Sequence, residues 1–273
     1  MVWRLIEFSE AKNPNFNLAV EEALFRCFNV EGIMRFWHND NTVVIGRFQC
    51  PLSEINYERV LELKTRVVRR FTGGGAVYHD LGNLNFTFIF KARCELPQAF
   101  ELIGSIISSA LRNLGLNARF KPMNDVIVNS KKIAGLAGMV LGDRILIHGC
   151  LLVNSSLDVL SSVLSVSKEK LIDKAVSSVR ERVTTISIEV GKDIPQDDIK
   201  HEILKAAKGM LGFKRIVDDQ LSSDELKCAQ RLYNERYKKA EWLGLLCRAC
   251  PLKDHHWHKV EELSEVAKAD TNW

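Results

Sequence analysis

Arg69-Arg70-Phe71-Thr72-Gly73-Gly74-Gly75-Ala76-Val77-Tyr78-His79-Asp80 is the stretch around which this chain is organised. It begins where an apolar pair, Val67-Val68, ends in two arginines. Three consecutive glycines let the backbone reach φ > 0 and approach a ligand closely. A turn of this kind gathers successive N–H groups into a concavity that suits an anion. Two guanidiniums at its lip add fixed charge and forked donors for phosphate or carboxylate. Beyond the glycines, apolar and polar residues alternate through Val77, His79, Phe86, Phe88 and Phe90, a strand period. No helix is expected to follow the glycines, so neither a Walker loop nor a dinucleotide fingerprint fits. Read without further context, the same residues make a glycine-rich hairpin with two surface arginines.

Composition narrows the class. The chain has 273 residues, 46% hydrophobic and 26% charged, as in an ordinary globular protein of one large domain or two small ones. A net charge of +4 is too small a basic footprint to argue for nucleic acid. The start, Met1 to Glu7, is charged too soon for a signal peptide, and no apolar run is long enough to span a bilayer. Seven cysteines scattered in apolar patterns fit a reduced, cytoplasmic protein.

Along the chain, Asn13 to Phe28 reads as a helix with an apolar stripe of Val20, Ala23, Leu24, Cys27 and Phe28. Glu21 and Glu22 beside it read as a solvated face. Met34–Trp37 and Thr42–Arg47 read as short strands joined by the polar turn His38 to Asn41, and Glu54 to Leu63 as a short helix. Asn83 to Phe90 is a strand with alternating aromatics. A helix from Leu96-Pro97 carries Phe100, Ile103, Ile107, Leu111 and Leu114 and ends at Gly115. Asn124 to Val128 and Lys131 to Gly135 are strands about an Asn129-Ser130 turn, which makes Lys131 and Lys132 surface lysines. Ile145 to Asn154 is a buried strand holding His148 and Cys150. Ser155-Ser156 opens a helix through Leu164, and Ser167 opens another. Ile194-Pro195 starts a helix with Ile199, Ile203, Ala206 and Met210 inward. Ser222 to Glu225 is a capping box whose helix turns Leu226, Ala229, Tyr233 and Tyr237 to one side.

Arg69-Arg70-x-Thr72-Gly73-Gly74-Gly75-Ala76-Val77-Tyr78-His79-Asp80-x-Gly82-Asn83 resembles the signature of lipoate–protein ligases, in a superfamily shared with octanoyltransferases and biotin–protein ligases. The resemblance runs from about Asn17 to about Trp242. It implies one α/β (α+β) catalytic domain over residues 1–245, with mixed or antiparallel sheet and helices packed outside, and a tail over residues 246–273. It also implies ATP-dependent activation of lipoate to lipoyl-AMP, then transfer to a lysine of a lipoyl-acceptor domain, with ATP, Mg²⁺ and lipoate as ligands.

The implied ATP and lipoyl-AMP contacts are Arg70, Gly73, Gly74, Gly75, Ala76, Val77, Tyr78, Asn124, Asp125 and Lys132. Ser178 and Arg180 belong with them, on a Ser-Val-Arg-x-Arg-Val segment resembling the family's adenylate-covering loop. Lys132, in Lys-Ile-Ala-Gly, is the implied catalytic residue, and Asp125 the Mg²⁺ ligand. An ammonium there offsets repulsion between a carboxylate and an α-phosphate. Glu21, Trp37, Thr72, His79, Gly135 and His148 are implied around the lipoate pocket, with Gln49 matching the same pattern. About thirty residues follow Trp242, so a separate accessory subunit is expected, as for the archaeal-type short ligases.

Two alternatives stay open: octanoyl transfer through a Cys150 thioester, although Cys150 occupies a small core position in the ligase pattern, and a non-catalytic binder on the same fold. Cys247, Cys250, His255, His256 and His258 have zinc-type residues at a spacing that matches no zinc family, and a mobile tail is the expected state.

Overall fold

A computed structural model describes residues 2–165, 182–245 and 257–268. In chain order the elements are β1 (Val2–Ile6), α1 (Pro14–Arg26), β2 (Gly32–Trp37), β3 (Thr42–Ile45), α2 (Pro51–Glu54) and α3 (Tyr57–Glu62). Then come β4 (Arg66–Arg69), β5 (Val77–His79), β6 (Asn83–Lys91), α4 (Leu96–Asn113), β7 (Ala118–Lys121), β8 (Asp125–Val128), β9 (Lys131–Leu141) and β10 (Arg144–Leu152). The rest are α5 (Leu157–Val163), α6 (Ile186–Val190), α7 (Gln196–Leu211), β11 (Arg215–Asp219), α8 (Ser223–Leu232), α9 (Ala240–Leu243) and α10 (Trp257–Val266). α8 runs on as a π-helical turn, Tyr233–Tyr237.

Two sheets carry the fold. Eight strands lie in the order β11-β1-β2-β6-β10-β9-β8-β7, and three in the order β4-β3-β5. β1 pairs parallel with β11 and β2, and β3 with β4; the remaining pairs are antiparallel. The sheet is therefore mixed, with helices outside it, as expected. The turn between Trp37 and Thr42 carries the chain from one sheet to the other, since β2 pairs with β1 and β6 while β3 pairs with β4 and β5.

Strand alternation gives the large sheet two buried faces. Phe86, Phe88 and Phe90 pack with Met34, Ile145 and Ile147 against α4 and α7, through Ile103, Ile107, Ile199 and Ile203. Ile33, Ile89 and Leu146 face α1, whose Leu18, Val20, Leu24 and Phe25 also meet Val44 and Val68 of the small sheet. α1 is thus wrapped on nearly every side, and Glu21 and Glu22 are buried, contrary to the solvated face expected. Two of the inward positions expected on later helices also differ. Met210 and Leu226 are exposed; Ala207 faces inward on α7, and Glu225, Ala229 and Leu232 on α8. The π turn then resets the helix phase, and Arg236 and Tyr237 both reach Glu22, at 2.8 and 2.6 Å. The helix read over Glu54 to Leu63 is two short pieces broken at Ile55-Asn56.

Arg69 is a packing residue. Its guanidinium is buried and donates to the carbonyls of Trp242, Gly46, Arg47 and Gln49, at 2.8, 3.0, 2.7 and 2.7 Å. Trp242 Nε1 donates back to Arg69 O at 2.8 Å. The expected second guanidinium at the loop's lip is therefore turned into the protein, because strand alternation sends neighbours to opposite faces.

Of the stretch read as a tail, residues 257–268 pack on the small sheet. Val260 and Leu263 are fully buried beside Ile45, Val60, Val67 and Leu243. Tyr57 hydrogen-bonds Glu262, and Lys259 lies over the Tyr57 ring at 4.4 Å. Cys247, Cys250, His255 and His256 lie outside the described residues. Leu263→Ala is expected to lower unfolding free energy by about 2–5 kcal/mol in urea titrations, the cost of a large-to-small core change. A loss near zero would make α10 an appendage.

Candidate active site

The large sheet's α1-side face and the small sheet enclose a pocket of about 570 Å³, part of it open to solvent. One lateral row of the large sheet forms its floor. Trp37 pairs with Asn85, Asn85 with Cys150, Cys150 with Gly135, and Gly135 with Asp125. Four of these five residues line the pocket; Asp125 stands at its rim beside Lys132. Val44, Arg70, Gly75, Ala76 and Val77 close it from the small sheet's side, with Leu18 of α1.

The glycine loop follows from how the chain leaves β4. Arg70 N donates to Ile45 O at 3.0 Å, and its side chain turns back under the loop. Its guanidinium donates to Gly73 O at 2.6 Å, Gly75 O at 2.8 Å and Val44 O at 3.1 Å. Gly74 takes φ +89, and a Cβ on Gly46 would lie 2.1 Å from Gly74 O, so both positions need glycine. Among the described residues, the N–H groups of Gly73, Gly74, Gly75 and Ala76 form no hydrogen bond within the protein. Those four donors are available to an anion. Arg70 contributes its charge and the loop's shape. Burial brings its pKa down to about 10, so it stays protonated at neutral pH.

Lys132 owes its place to a bulge. Val126 pairs with Ala134 but Ile127 pairs with Lys132, so Ile133 is an extra residue in β9. Ile133 and Ala134 both enter the core, and Lys132 emerges on Gly135's side. Its Nζ bonds Asp125 Oδ1 at 2.7 Å, and a Cβ on Gly135 would meet that Nζ at 2.7 Å. Asn124, also in the lining, donates through Nδ2 to Leu136 O at 2.6 Å. Val183 bridges to Lys132, and Thr184 N donates to Lys132 O at 2.9 Å. Val183, the last residue of the Ser-Val-Arg-x-Arg-Val segment, thus lies on the sheet beside Lys132. Ser178 and Arg180 themselves lie outside the described residues.

The other wall is a hydrogen-bonded chain with little access to water. Trp37 Nε1 donates to Thr87 Oγ1 at 3.1 Å, and Thr87 donates to Glu21 Oε1 at 2.6 Å. His148 Nδ1–H donates to Glu21 Oε2 at 2.8 Å, and His148 Nε2 pairs with Thr72 Oγ1 at 2.8 Å. Burial raises Glu21's pKa, but His148, Thr87 and Arg35 outweigh it and hold the carboxyl below its usual range. Glu21 and Thr72 thus stand behind the pocket and position His148, which lines it. His79, also in the lining, accepts from Asn39 Nδ2 at 3.2 Å, which places its proton on Nε2. Asn39's orientation is fixed by Asn17 Nδ2, donating to its Oδ1 at 2.9 Å.

The structure gathers Trp37, Arg70, Gly75, Ala76, Val77, His79, Asn124, Lys132, Gly135 and His148 around one pocket. Gly73 and Gly74 belong to the same loop but are not among the lining residues. Tyr78 points away, packed with Val43, Ile45 and Leu160, because its strand neighbours face the pocket. Cys150 lines the pocket but is buried, and burial pushes its thiol up against the pull of Lys132 and Arg70. Sequence reading passed over Asn85, Leu136, Ala137 and Gly149. Asn85 had one legible signal, a polar residue in a strand whose aromatics fill the other face. Among the described residues, no three His, Cys, Asp or Glu side chains cluster to hold a metal, and no helix is long and apolar enough to cross a membrane.

Residues 13–208 match the profile of the lipoyl protein ligase A/B catalytic domain. The chain is 34% identical over 260 residues to lipoate-protein ligase A subunit 1 of Thermoplasma acidophilum, covering 90% of this chain and 98% of that one. Its fold matches, at TM-score 0.83 and 34% identity, a chain from a study of a bi-partite lipoate protein ligase and its E2 lipoyl domain from Thermoplasma acidophilum, over 90% of this chain and 97% of that one. It also matches a lipoate-protein ligase A bound with ATP, at TM-score 0.82 and 31% identity, over 90% and 100% of the two chains. The chain belongs to the lipoyl protein ligase A/B catalytic domain family.

Burial, then Arg70, then His148 hold the His79 pKa at about 3, against 6.5 for the free side chain. Between those values the unfolded chain takes up a proton that the folded chain refuses. Folding stability therefore falls as pH drops below 6.5, by up to about 1.4 kcal/mol per pH unit from this residue. His79→Gln removes that loss. Urea unfolding at pH 7 and pH 5 should show wild type and variant converging as pH falls; a constant gap would mean His79 titrates normally in the fold.

Proposed function

We propose that the protein is an ATP-dependent lipoate–protein ligase. The observation that carries this reading is the pocket's division into two ends. Trp37, Leu18, Val44 and Ala137 offer apolar surface to an aliphatic acyl chain. Lys132, the charge of Arg70 and the free N–H groups of the glycine loop offer an anion site beside it. An acyl carboxylate and an α-phosphate would meet between these ends.

In the first step a lipoate carboxylate oxygen attacks the α-phosphorus, forming a P–O bond as the bond to pyrophosphate breaks. Lys132 would lie between the two anions, lower their repulsion and steady charge on the phosphate. In the second step a lysine amine of an acceptor domain attacks the acyl carbon and AMP leaves. Asp125 Oδ1 is engaged by Lys132, and its second oxygen would take Mg²⁺ carried on the nucleotide phosphates, an ion suited to one carboxylate plus phosphates and water. The ion would offset phosphate charge. Asn124 would contact the nucleoside, and Ser178 and Arg180 would cover it. His79, held neutral, and His148 would border the acyl group.

Octanoyl transfer through Cys150 is the weaker reading, because a buried thiol with a raised pKa is a poor nucleophile. Lys132→Ala should fold normally and lose at least about a hundredfold in lipoate-dependent pyrophosphate release, the scale of a deleted charge stabiliser. Cys150→Ser should stay near wild type. The reverse pattern would move the chemistry to the thiol.

The acceptor is proposed to be a lipoyl domain, with a separate accessory subunit assisting transfer. Support comes from the near-full coverage of a relative named as subunit 1. Purified chain with lipoate, ATP and Mg²⁺ should form lipoyl-AMP but lipoylate an acceptor domain slowly until the second subunit is added. Rapid, complete lipoylation by the chain alone would remove the accessory subunit.

A further inference from the structure

We propose that the Asn85 side-chain amide donates a hydrogen bond to the carboxyl group of the bound acyl substrate; this rests on the ligase reading. Asn85 is 1% exposed and lines the pocket. Its Oδ1 accepts from Asn83 Nδ2 at 2.8 Å, while its Nδ2 has no partner among the described residues. Buried amide donors are almost always paired, and leaving one unpaired costs free energy. Asn83 Oδ1, Arg144 Nε and Ser155 Oγ are also buried and unpaired, but those residues do not line the pocket. Turning both asparagine amides over together would keep their mutual bond and aim an oxygen at the pocket instead. Arg70 and Lys132 mark the ligand as an anion, which a donor suits and an oxygen repels.

The strand register says which part of the ligand Asn85 meets. On the floor row Asn85 lies between Trp37 and Cys150, and Gly135 follows Cys150. Lys132 reaches back over Gly135. The Asn85 donor and the Lys132 ammonium therefore flank the space above Cys150 from its two sides. The flanking strands are about 10 Å apart, two strand spacings, and both side chains reach inward across that gap. A carboxyl group placed there can accept from Asn85 with one oxygen and lie against Lys132 with the other. Its acyl chain then runs toward Trp37.

Calorimetry can measure binding of lipoate, and of the alcohol that replaces its carboxyl by CH₂OH, to the whole protein without ATP. Asn85→Asp preserves shape and keeps an acceptor for Asn83, but replaces the donor by an oxygen. It should weaken lipoate binding by more than about tenfold, the scale of a lost charge-assisted hydrogen bond. Asn85→Ala should weaken it by about tenfold, and both variants should bind the alcohol within about twofold of wild type. Lipoate affinity unchanged in both variants, or equal losses for acid and alcohol, would overturn the inference alone. A wild type that binds no lipoate would overturn the ligase reading and this inference with it.

Discussion

Glu21 keeps a carboxylate where water cannot reach it, and much of the pocket's architecture answers to that constraint. A charge in such a place survives only if its oxygens are matched by donors. Thr87 and His148 come from the central strands of the large sheet, so α1 is tied to that sheet at one point. His148 then engages Thr72, the residue before the glycines. Three separate parts of the fold are thus referenced to one carboxyl group. Bonds inside a low-dielectric interior are strong when every member is satisfied, and here they fix a wall rather than a mobile surface.

The same economy explains the two arginines. Adjacent in sequence, they leave β4 on opposite faces and do different things. Arg69 gathers carbonyls from Gly46 to Gln49 and from the Trp242 turn, closing the small sheet onto α9. Arg70 gathers carbonyls of the glycine loop, and among the described residues the N–H groups of Gly73 to Ala76 stay unpaired. A charged side chain that binds its own loop gives the site a positive potential without filling it. That is how a buried guanidinium can shape a loop from beneath.

Much of this was legible in the sequence. The glycine motif, the Asn129-Ser130 turn, the Gly115 stop and the aromatic alternation of β6 are local signals, and each fell where local chemistry puts it. What could not be read depends on distant parts of the chain. Strict alternation would set Lys132 and Gly135 on opposite faces; the bulge at Ile133 brings them together, and a bulge has no sequence signature here. Glu21 and Glu22 look like surface residues until α1 is seen wrapped by two sheets and α8. Met210 and Leu226 fit a helical stripe but sit at its margin, where one position of rotation separates core from solvent. Family resemblance named Thr72 and Glu21 with the pocket; the structure shows that neither lines it and that both hydrogen-bond His148, which does.

The floor row from Trp37 to Asp125 behaves like a measuring stick. Each graduation belongs to a different strand, about 4.8 Å from the next. A single replacement on one rung can shorten or lengthen the groove by one division while its neighbours keep their backbone pairing. Whatever lies along the row meets each strand in turn, so a change at the Trp37 end leaves the Gly135 and Asp125 end as it was.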